Sequence, residues 1–171
     1  TALNALGTDT VAAWTSFGKM DAFCWMVISA FGISATTFVG QNYGAGKYDR
    51  VRKSVRVCLG MTLASSIAMS IFLMTAGKYL FHLFTSDPEV IRIGIQILNY
   101  MAPAYALFVF IEIYSGALRG IGDVIIPTIM TCCGVCVFRT LWVFLLVPKS
   151  PTIETITLSY PISWGITAVL F

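Results

Sequence analysis

Long apolar segments without charge alternate with short polar segments along the chain. The uncharged runs cover residues 22–40, 57–77, 93–111, 124–138 and 155–171. Each approaches the roughly 20 apolar residues that cross the hydrocarbon core of a bilayer. Backbone polar groups inside lipid must be satisfied within their own segment, which favours helices. The pattern therefore predicts an all-α, polytopic transmembrane bundle. We place its five helices at about residues 8–42, 53–77, 87–117, 124–147 and 151–171, the last incomplete.

The composition supports a lipid environment. Hydrophobic residues make up 57% of the chain and charged residues 11%, whereas a soluble domain has about 25% charged residues. The net charge of +3 does not indicate a nucleic-acid partner, because the basic residues concentrate in one connector and no reading motif accompanies them. Since the sequence starts at Thr1 and stops at Phe171 inside an apolar run, we expect a fragment of a longer polypeptide. No charged segment or cleavage site precedes the first apolar stretch, so we do not interpret that stretch as a signal peptide.

One connector carries an unusual concentration of positive charge. Five of the eleven Lys and Arg residues fall between Lys47 and Arg56, with only Asp49 among them. Positively charged connectors of membrane proteins stay on the cytoplasmic side, so we expect residues 47–56 there. By alternation, residues 119–123 are also inside, and residues 78–87 and 148–154 are outside.

Small residues recur at helical spacing in two of the predicted spans. Gly32, Thr36, Gly40 and Gly44 are four residues apart in the first span, and Gly116 and Gly120 repeat this spacing in the third. Such series let neighbouring membrane helices approach closely, so we interpret them as packing positions.

Local signals mark helix starts and kinks. Ser86 can cap the third helix with Glu89 completing a capping box and Pro88 in the first turn. Pro103 and Pro161 lie inside predicted spans, where a missing backbone donor kinks a helix.

Four charges lie within or near the spans: Lys19, Asp21, Glu112 and Arg139. Charge in hydrocarbon costs on the order of 3 kcal/mol and usually faces a cavity or a partner. At about 1.5 Å per residue, Asp21 lies roughly 29 Å above the inner edge, Arg139 roughly 24 Å and Glu112 about 10 Å. We therefore expect Arg139 to pair with Asp21, or to face an outward-opening cleft, rather than to pair with Glu112. Lys19 is expected to extend to the outer interface.

Glu112 belongs to a stripe that also contains Phe108, Tyr105 and Met101 on one face of the third helix. A carboxylate, two aromatic rings and a thioether suit a lipophilic cation, and a carboxylate at depth can exchange a proton or a small cation with substrate. The alternative interpretation is that the aromatic residues pack or face lipid and that Glu112 bonds a neighbouring helix. Both interpretations stay open.

The sequence does not indicate an enzyme. It contains no phosphate loop, no metal-spaced cluster and no Ser/His/Asp set, and we expect no metal or organic cofactor. The five cysteines lie in or beside apolar stretches, where a small, soft packing residue is the plainest interpretation.

Several motifs resemble the multidrug and toxic compound extrusion (MATE) family. The run at residues 39–47 with its basic connector is similar to the end of the second helix of a six-helix half. Residues 115–123 with Pro127 are similar to the connector between the fourth and fifth helices. Residues 19–21, Arg139 with Trp142, and residues 160–164 resemble the C-terminal half. The loop and packing positions of these motifs are Gly40, Gln41, Gly44, Gly46, Gly116, Arg119, Gly120, Gly122 and Asp123.

The resemblance implies a twelve-helix transporter of two six-helix lobes, of which this chain would supply helices eight to twelve. Such proteins export amphipathic organic cations in exchange for Na⁺ or H⁺ by alternating access. The implied protein is a monomer in the inner (plasma) membrane whose N-terminal lobe completes it. One branch of the family couples through acids of the seventh and tenth helices. Glu112 is on the tenth-like helix, about one turn nearer the cytoplasm than that acid. Another branch couples through an acid of the first helix.

Two alternatives remain at this stage. A flippase of the same superfamily, carrying lipid-linked oligosaccharides or cell-wall precursors, needs a cationic cleft, to which Lys19 and Arg139 would contribute. A membrane scaffold subunit that transports nothing would have a tightly packed lobe without a water-accessible central face.

Overall fold

The computed structural model describes residue 3 and residues 6–171, and the regular structure within these residues is entirely helical. The five helices are α1 (Thr8–Gly44), α2 (Tyr48–His82), α3 (Pro88–Gly120), α4 (Ile125–Leu145) and α5 (Ile153–Leu170). Helices α1 to α4 are long and apolar enough to cross a membrane. Helix α5, which contains Glu154 and several Ser and Thr residues, is not one of these four. The all-α, membrane-spanning fold class predicted from the apolar runs is confirmed.

Helix α3 is the centre of the bundle. It packs against α1, α2 and α5, while α4 packs mainly against α5. Its side chains dominate the core, where Ile97, Met101, Tyr105, Val109 and Ile113 are almost completely buried. Most of the side chains of α4 are exposed in this chain, with only Pro127 and Gly134 buried. Functional side chains on the core-facing side of α3 are therefore surrounded by three other helices.

The backbones of α1 and α3 are in close contact at the end of the bundle that holds the α1–α2 connection. A Cβ at Gly116 would lie 2.7 Å from the carbonyl oxygen of Gly32, and one at Gly40 would lie 3.1 Å from the carbonyl oxygen of Gly120. The Thr36 hydroxyl donates to the Gly116 carbonyl oxygen at 2.9 Å. The structure thus brings Gly32, Thr36 and Gly40 against the small residues of α3, whereas the prediction that Gly44 packs was wrong, because a Cβ there would meet open space.

Asp87, and not Ser86, caps α3. Its Oδ1 accepts a hydrogen bond from the Glu89 backbone N–H at 2.9 Å. Because Pro88 takes the first helical position, the residue immediately before it is the cap, and the prediction of Ser86 was wrong by one position. Likewise α5 begins at Ile153 with Thr152 as its cap, two residues after Pro151.

The basic connector is mostly helical. Since α2 begins at Tyr48, Arg50, Arg52, Lys53 and Arg56 lie on its first turns rather than in a loop. The 3.6-residue period separates them into two faces, with Arg50 and Lys53 lining one cavity and Arg52 and Arg56 lining another.

Helix α4 contains a π-helical segment, Cys132–Val137, between two α-helical parts. Such segments insert an extra residue into a helix and occur frequently at functional sites. Here the wide turn places Gly134 against Thr167 of α5, leaving no room for a Cβ. The segment ends two residues before Arg139, so the extra residue affects the direction in which the Arg139 side chain extends from α4.

Candidate functional site

The Asp21 carboxylate lies between α1 and α3 and accepts two hydrogen bonds from aromatic residues. Trp25, one helical turn further along α1, donates from Nε1 to Oδ2 at 2.9 Å. The Tyr105 hydroxyl of α3 donates to Oδ1. Tyr105 is itself almost completely buried, so this bond ties the two helices together within the apolar part of the bundle.

A cluster of aromatic rings packs near this carboxylate. The Trp25 and Phe108 ring centroids are 4.3 Å apart, and those of Phe108 and Trp164 are 5.3 Å apart. Tyr160 meets Trp164 edge-on at 6.0 Å. Because the rings come from α1, α3 and α5, the cluster closes the space between these three helices.

Arg139 of α4 contacts the α5 part of this cluster. Its guanidinium carbon is 3.7 Å from the Tyr160 ring centroid, a cation–π contact. Its Nη2 donates to the Ser163 hydroxyl at 3.3 Å, and its buried Nε finds no hydrogen-bond partner among the described residues.

The expected ion pair between Asp21 and Arg139 is not formed. Within the described residues, the ion pairs are Glu89 with Arg92 and Glu112 with Arg119. Asp21 is held by Trp25 and Tyr105, as described above, while α4 directs Arg139 toward α5. The depth estimate was insufficient because two residues at similar depth can still point toward different neighbours.

Glu112 lies further along α3, against the small-residue contact with α1. A Cβ at Gly32 would collide with its carboxyl group, so the absence of a side chain there makes room for the acid. Its Oε1 lies 3.6 Å from Nη2 of Arg119, two turns later on the same helix.

Glu112 opens onto a cavity between α3 and α4. The cavity measures about 340 Å³. It is lined by Phe108, Ile111, Glu112, Ser115, Arg119, Pro127, Thr128, Thr131, Cys132 and Cys136. The lining combines one carboxylate, one guanidinium and several hydroxyls with apolar side chains, so it offers polar groups for a hydrated ion and apolar surface for an organic molecule.

The two carboxylates sit at different depths. Along α3, Tyr105 and Glu112 are seven residues apart, which is about 10 Å. Along α1, Asp21 and Gly32 are 11 residues apart, which is about 16 Å. Phe108 lies between them on α3 and packs against Trp25 and Trp164. Aromatic side chains therefore lie between the carboxylate bonded to Trp25 and Tyr105 and the carboxylate that faces a cavity.

The remaining predicted site residues lie outside this pair of acids. Met101 is buried in the core, one turn from Tyr105. Lys19 is exposed, with its Nζ 5.0 Å from the Phe84 ring centroid. Pro103 is exposed on α3 and Pro161 is half-buried on α5.

The loop motifs also fall into distinct roles. Gly46 and Gly122 have φ angles of 71° and 94°, which favour glycine. Oδ1 of Asp123 accepts from the Ile126 N–H at 3.1 Å at the start of α4. Gln41 and Gly44 are exposed near the end of α1, and a Cβ at Gly44 would meet open space.

Tyr160, Ser163 and Trp164 were not among the predicted site residues, although the structure places them around Arg139 and Tyr105. Their spacing of three and four residues puts them on one helical face, and that spacing was the available signal. Trp25 lies on the same helical stripe as Phe17 and Asp21, as the four-residue spacing in the sequence predicts, and it donates to the Asp21 carboxylate.

A sequence profile and curated relatives match the chain. The MatE family profile matches residues 2–145. The human "Multidrug and toxin extrusion protein 1" is 26% identical over 129 residues, covering 75% of this chain and 23% of that protein. The "Probable multidrug resistance protein YoeA" of Bacillus subtilis (strain 168) is 24% identical over 129 residues, covering 75% of this chain and 28% of that protein.

A solved structure shares the fold over almost the whole chain. The crystal structure of a MATE protein in complex with MaL6 superposes with a TM-score of 0.90 at 16% identity, covering 98% of this chain and 37% of that one. The chain thus spans about a quarter of the length of the curated relatives it matches, and little more than a third of this solved chain.

Proposed function

Since this chain belongs to the MatE family, we propose that it forms the C-terminal lobe of a cation-coupled antiporter that exports amphipathic organic compounds by alternating access. The names of the relatives support multidrug extrusion at the level of the family. They do not favour the alternative of a flippase for lipid-linked oligosaccharides or cell-wall precursors. This proposal requires an N-terminal lobe of the same polypeptide as its partner. The complete protein would be a monomer in the inner (plasma) membrane.

The observation that carries the proposal is the pair of carboxylates at two depths within apolar helices. Carboxylates are costly in a membrane interior and are retained there for ion or substrate pathways. Asp21 accepts hydrogen bonds from Tyr105 and Trp25, while Glu112 faces a cavity. The coupling cation, Na⁺ or H⁺, would exchange at Glu112.

Arg119 supplies a competing positive charge beside this site. With 3.6 Å between its Nη2 and Glu112 Oε1, it stabilises the ionised acid when no other cation is present. A bound proton or Na⁺ would weaken this pair, and a cationic substrate in the cavity would compete for the same carboxylate. Competition of this kind is the basis of an exchange mechanism, because the two cations then occupy the site alternately.

The direct test replaces Glu112 by Gln in the complete natural polypeptide. We expect E112Q to abolish efflux of a cationic dye from cells, at unchanged expression, because the amide keeps the shape but cannot hold a proton or Na⁺ in exchange. E89Q is the matched control, because Glu89 is exposed and its ion pair is with Arg92, one turn away on the same helix. Wild-type efflux by E112Q would show that Glu112 has a packing role only.

The coupling ion is tested in the same preparation. Reconstituted vesicles receive either a Na⁺ gradient or a pH gradient, and dye transport is followed in each. Transport driven by one gradient identifies the ion, whereas transport that ignores both gradients would contradict cation coupling.

A further inference from the structure

A separate groove lies between α1 and α2, on the opposite side of the small-residue contact from Glu112. Its volume is about 710 Å³, twice that of the cavity beside Glu112. The lining residues are Phe31, Ser34, Phe38, Asn42, Arg50, Lys53, Ser54, Val57, Cys58 and Met61. None of them belongs to the carboxylate sites described above.

The groove is polar at one end and apolar at the other. Helices α1 and α2 are antiparallel neighbours joined by a short connection, so Asn42 near the end of α1 lies level with Arg50 and Lys53 near the start of α2. Further from the connection, Phe31 of α1 lies level with Met61 of α2. The polarity therefore changes along the membrane normal in the same sense as a phospholipid, from headgroup to acyl chain.

The two cations of the polar end have no carboxylate partner. Within the described residues, the ion pairs involve Arg92 and Arg119, but neither Arg50 nor Lys53. Both side chains are exposed on the first turns of α2, where the partial positive charge of a helix N-terminus adds to theirs. An anion is the ligand that this end of the groove attracts.

The other end offers exposed apolar surface. Phe38, Val57 and Met61 are 53%, 48% and 54% exposed, respectively. An acyl chain that starts beside Arg50 and Lys53 can therefore follow apolar side chains into the membrane.

We propose that this groove binds one anionic phospholipid of the membrane leaflet next to the α1–α2 connection. Arg50 and Lys53 hold its phosphate, and Phe38, Val57 and Met61 contact an acyl chain. Basic pockets between membrane helices recognise anionic headgroups in this manner, and long basic side chains reach the headgroup level from the apolar region. The charge complementarity and the polar-to-apolar gradient together favour a lipid over a soluble anion.

The test uses the complete natural polypeptide purified in a neutral detergent and titrated with phosphatidylglycerol, with bound lipid counted by native mass spectrometry. We expect R50Q/K53Q to lower the affinity for the first bound phosphatidylglycerol about tenfold or more, since each basic residue near an anionic lipid contributes measurably. Phosphatidylcholine, titrated in parallel, should bind both proteins equally. R50K/K53R, which keeps both charges, should bind phosphatidylglycerol like the wild type.

The matched control is R52Q/R56Q, which removes two charges from the same turns of α2 but from its other face. It should keep the wild-type affinity.

Equal losses in both double variants would mean diffuse attraction to a basic helix and would overturn the proposal. So would unchanged affinity in R50Q/K53Q, displacement of the lipid by inorganic phosphate, or a wild-type protein that retains no phosphatidylglycerol because another part of the polypeptide covers the groove. If R50Q/K53Q does not fold, the single variants R50Q and K53Q are compared with the wild type instead. Each should lower the affinity for phosphatidylglycerol severalfold.

Discussion

The half-buried acids of this chain, Asp21 and Glu112, are stabilised by neutral donors or by a neighbour on the same helix, rather than by ion pairs between helices. Asp21 accepts from Trp25 and Tyr105, and these donors compensate for the water that a half-buried carboxylate loses. Glu112 has Arg119 two turns away and a glycine opposite. The sequence showed which charged residues lie within the apolar helices. Their partners depend on the rotation of each helix about its axis, which the sequence does not show.

Tyr105→Phe is the residue-scale test of the Asp21 site. Removing the hydroxyl deletes the bond between α1 and α3 while the buried ring stays in place. We expect the protein to lose about 1 kcal/mol of stability, in the range measured for hydrogen bonds between membrane helices. The measurement is the thermal unfolding midpoint followed by tryptophan fluorescence.

Tyr79→Phe is the matched control for this change. Tyr79 is 75% exposed on α2, so its hydroxyl should contribute little. A midpoint for Y105F equal to that of the wild type would show that the hydroxyl of Tyr105 does not hold Asp21.

At the scale of helices, close contact between α1 and α3 depends on glycine. The spacing of four residues in each series indicated packing faces, and the structure matches Gly32 and Gly40 of α1 to Gly116 and Gly120 of α3. What the spacing did not reveal is that the same contact provides the space for Glu112 beside Gly32. A packing motif and a site residue therefore share one interface.

Gly116→Ala tests this contact. The added Cβ would be 2.7 Å from the Gly32 carbonyl oxygen, so α1 and α3 must separate. We expect destabilisation of about 1–3 kcal/mol from overpacking, even though alanine is the better helix former. The loss is measured as the fraction of protein that stays monodisperse after heating in detergent.

Gly60→Ala is the matched control, because Gly60 lies inside α2 and a Cβ there would meet open space. This variant should be neutral or slightly more stable than the wild type. Equal behaviour of the two variants would mean that α1 and α3 are not held at the distance seen here.

The π-helical segment of α4 is the element that no pattern in the sequence indicated. Residues 132–137 are apolar and compatible with an ordinary α-helix. Packing of Gly134 against Thr167 accompanies the extra residue in the turn. The segment comes just before Arg139, whose guanidinium contacts Tyr160 and Ser163 of α5.

At the scale of the whole molecule, the bundle is organised around α3, with α4 largely exposed. The sequence placed the apolar runs in order and gave no indication of which helix is central. A mostly exposed α4 is apolar enough to face lipid or another lobe of the same polypeptide. The orientation in the membrane rests on the basic residues at the start of α2.

Orientation is tested with single cysteines in a variant of the complete natural polypeptide from which every native cysteine has been removed. Ala45→Cys, in the α1–α2 connection, should react with a membrane-impermeant maleimide only after the cells are permeabilised. Ser86→Cys, in the α2–α3 connection, should react in intact cells, because it lies at the other end of α2. Both positions are exposed. Labelling of Ala45→Cys in intact cells would reverse the orientation and the depth assignments together.

The sequence by itself determined the helical, membrane-spanning class, the family, and the acids and small residues at depth. These follow from local physics: the length of apolar runs, the cost of charge in lipid and the four-residue spacing of helical faces. Only the tertiary structure decided that Asp21 bonds Tyr105 rather than Arg139, that Gly32 makes room for Glu112, and that α4 turns Arg139 toward α5. Those outcomes depend on the rotation of each helix about its axis, which is set by contacts between residues far apart in the chain.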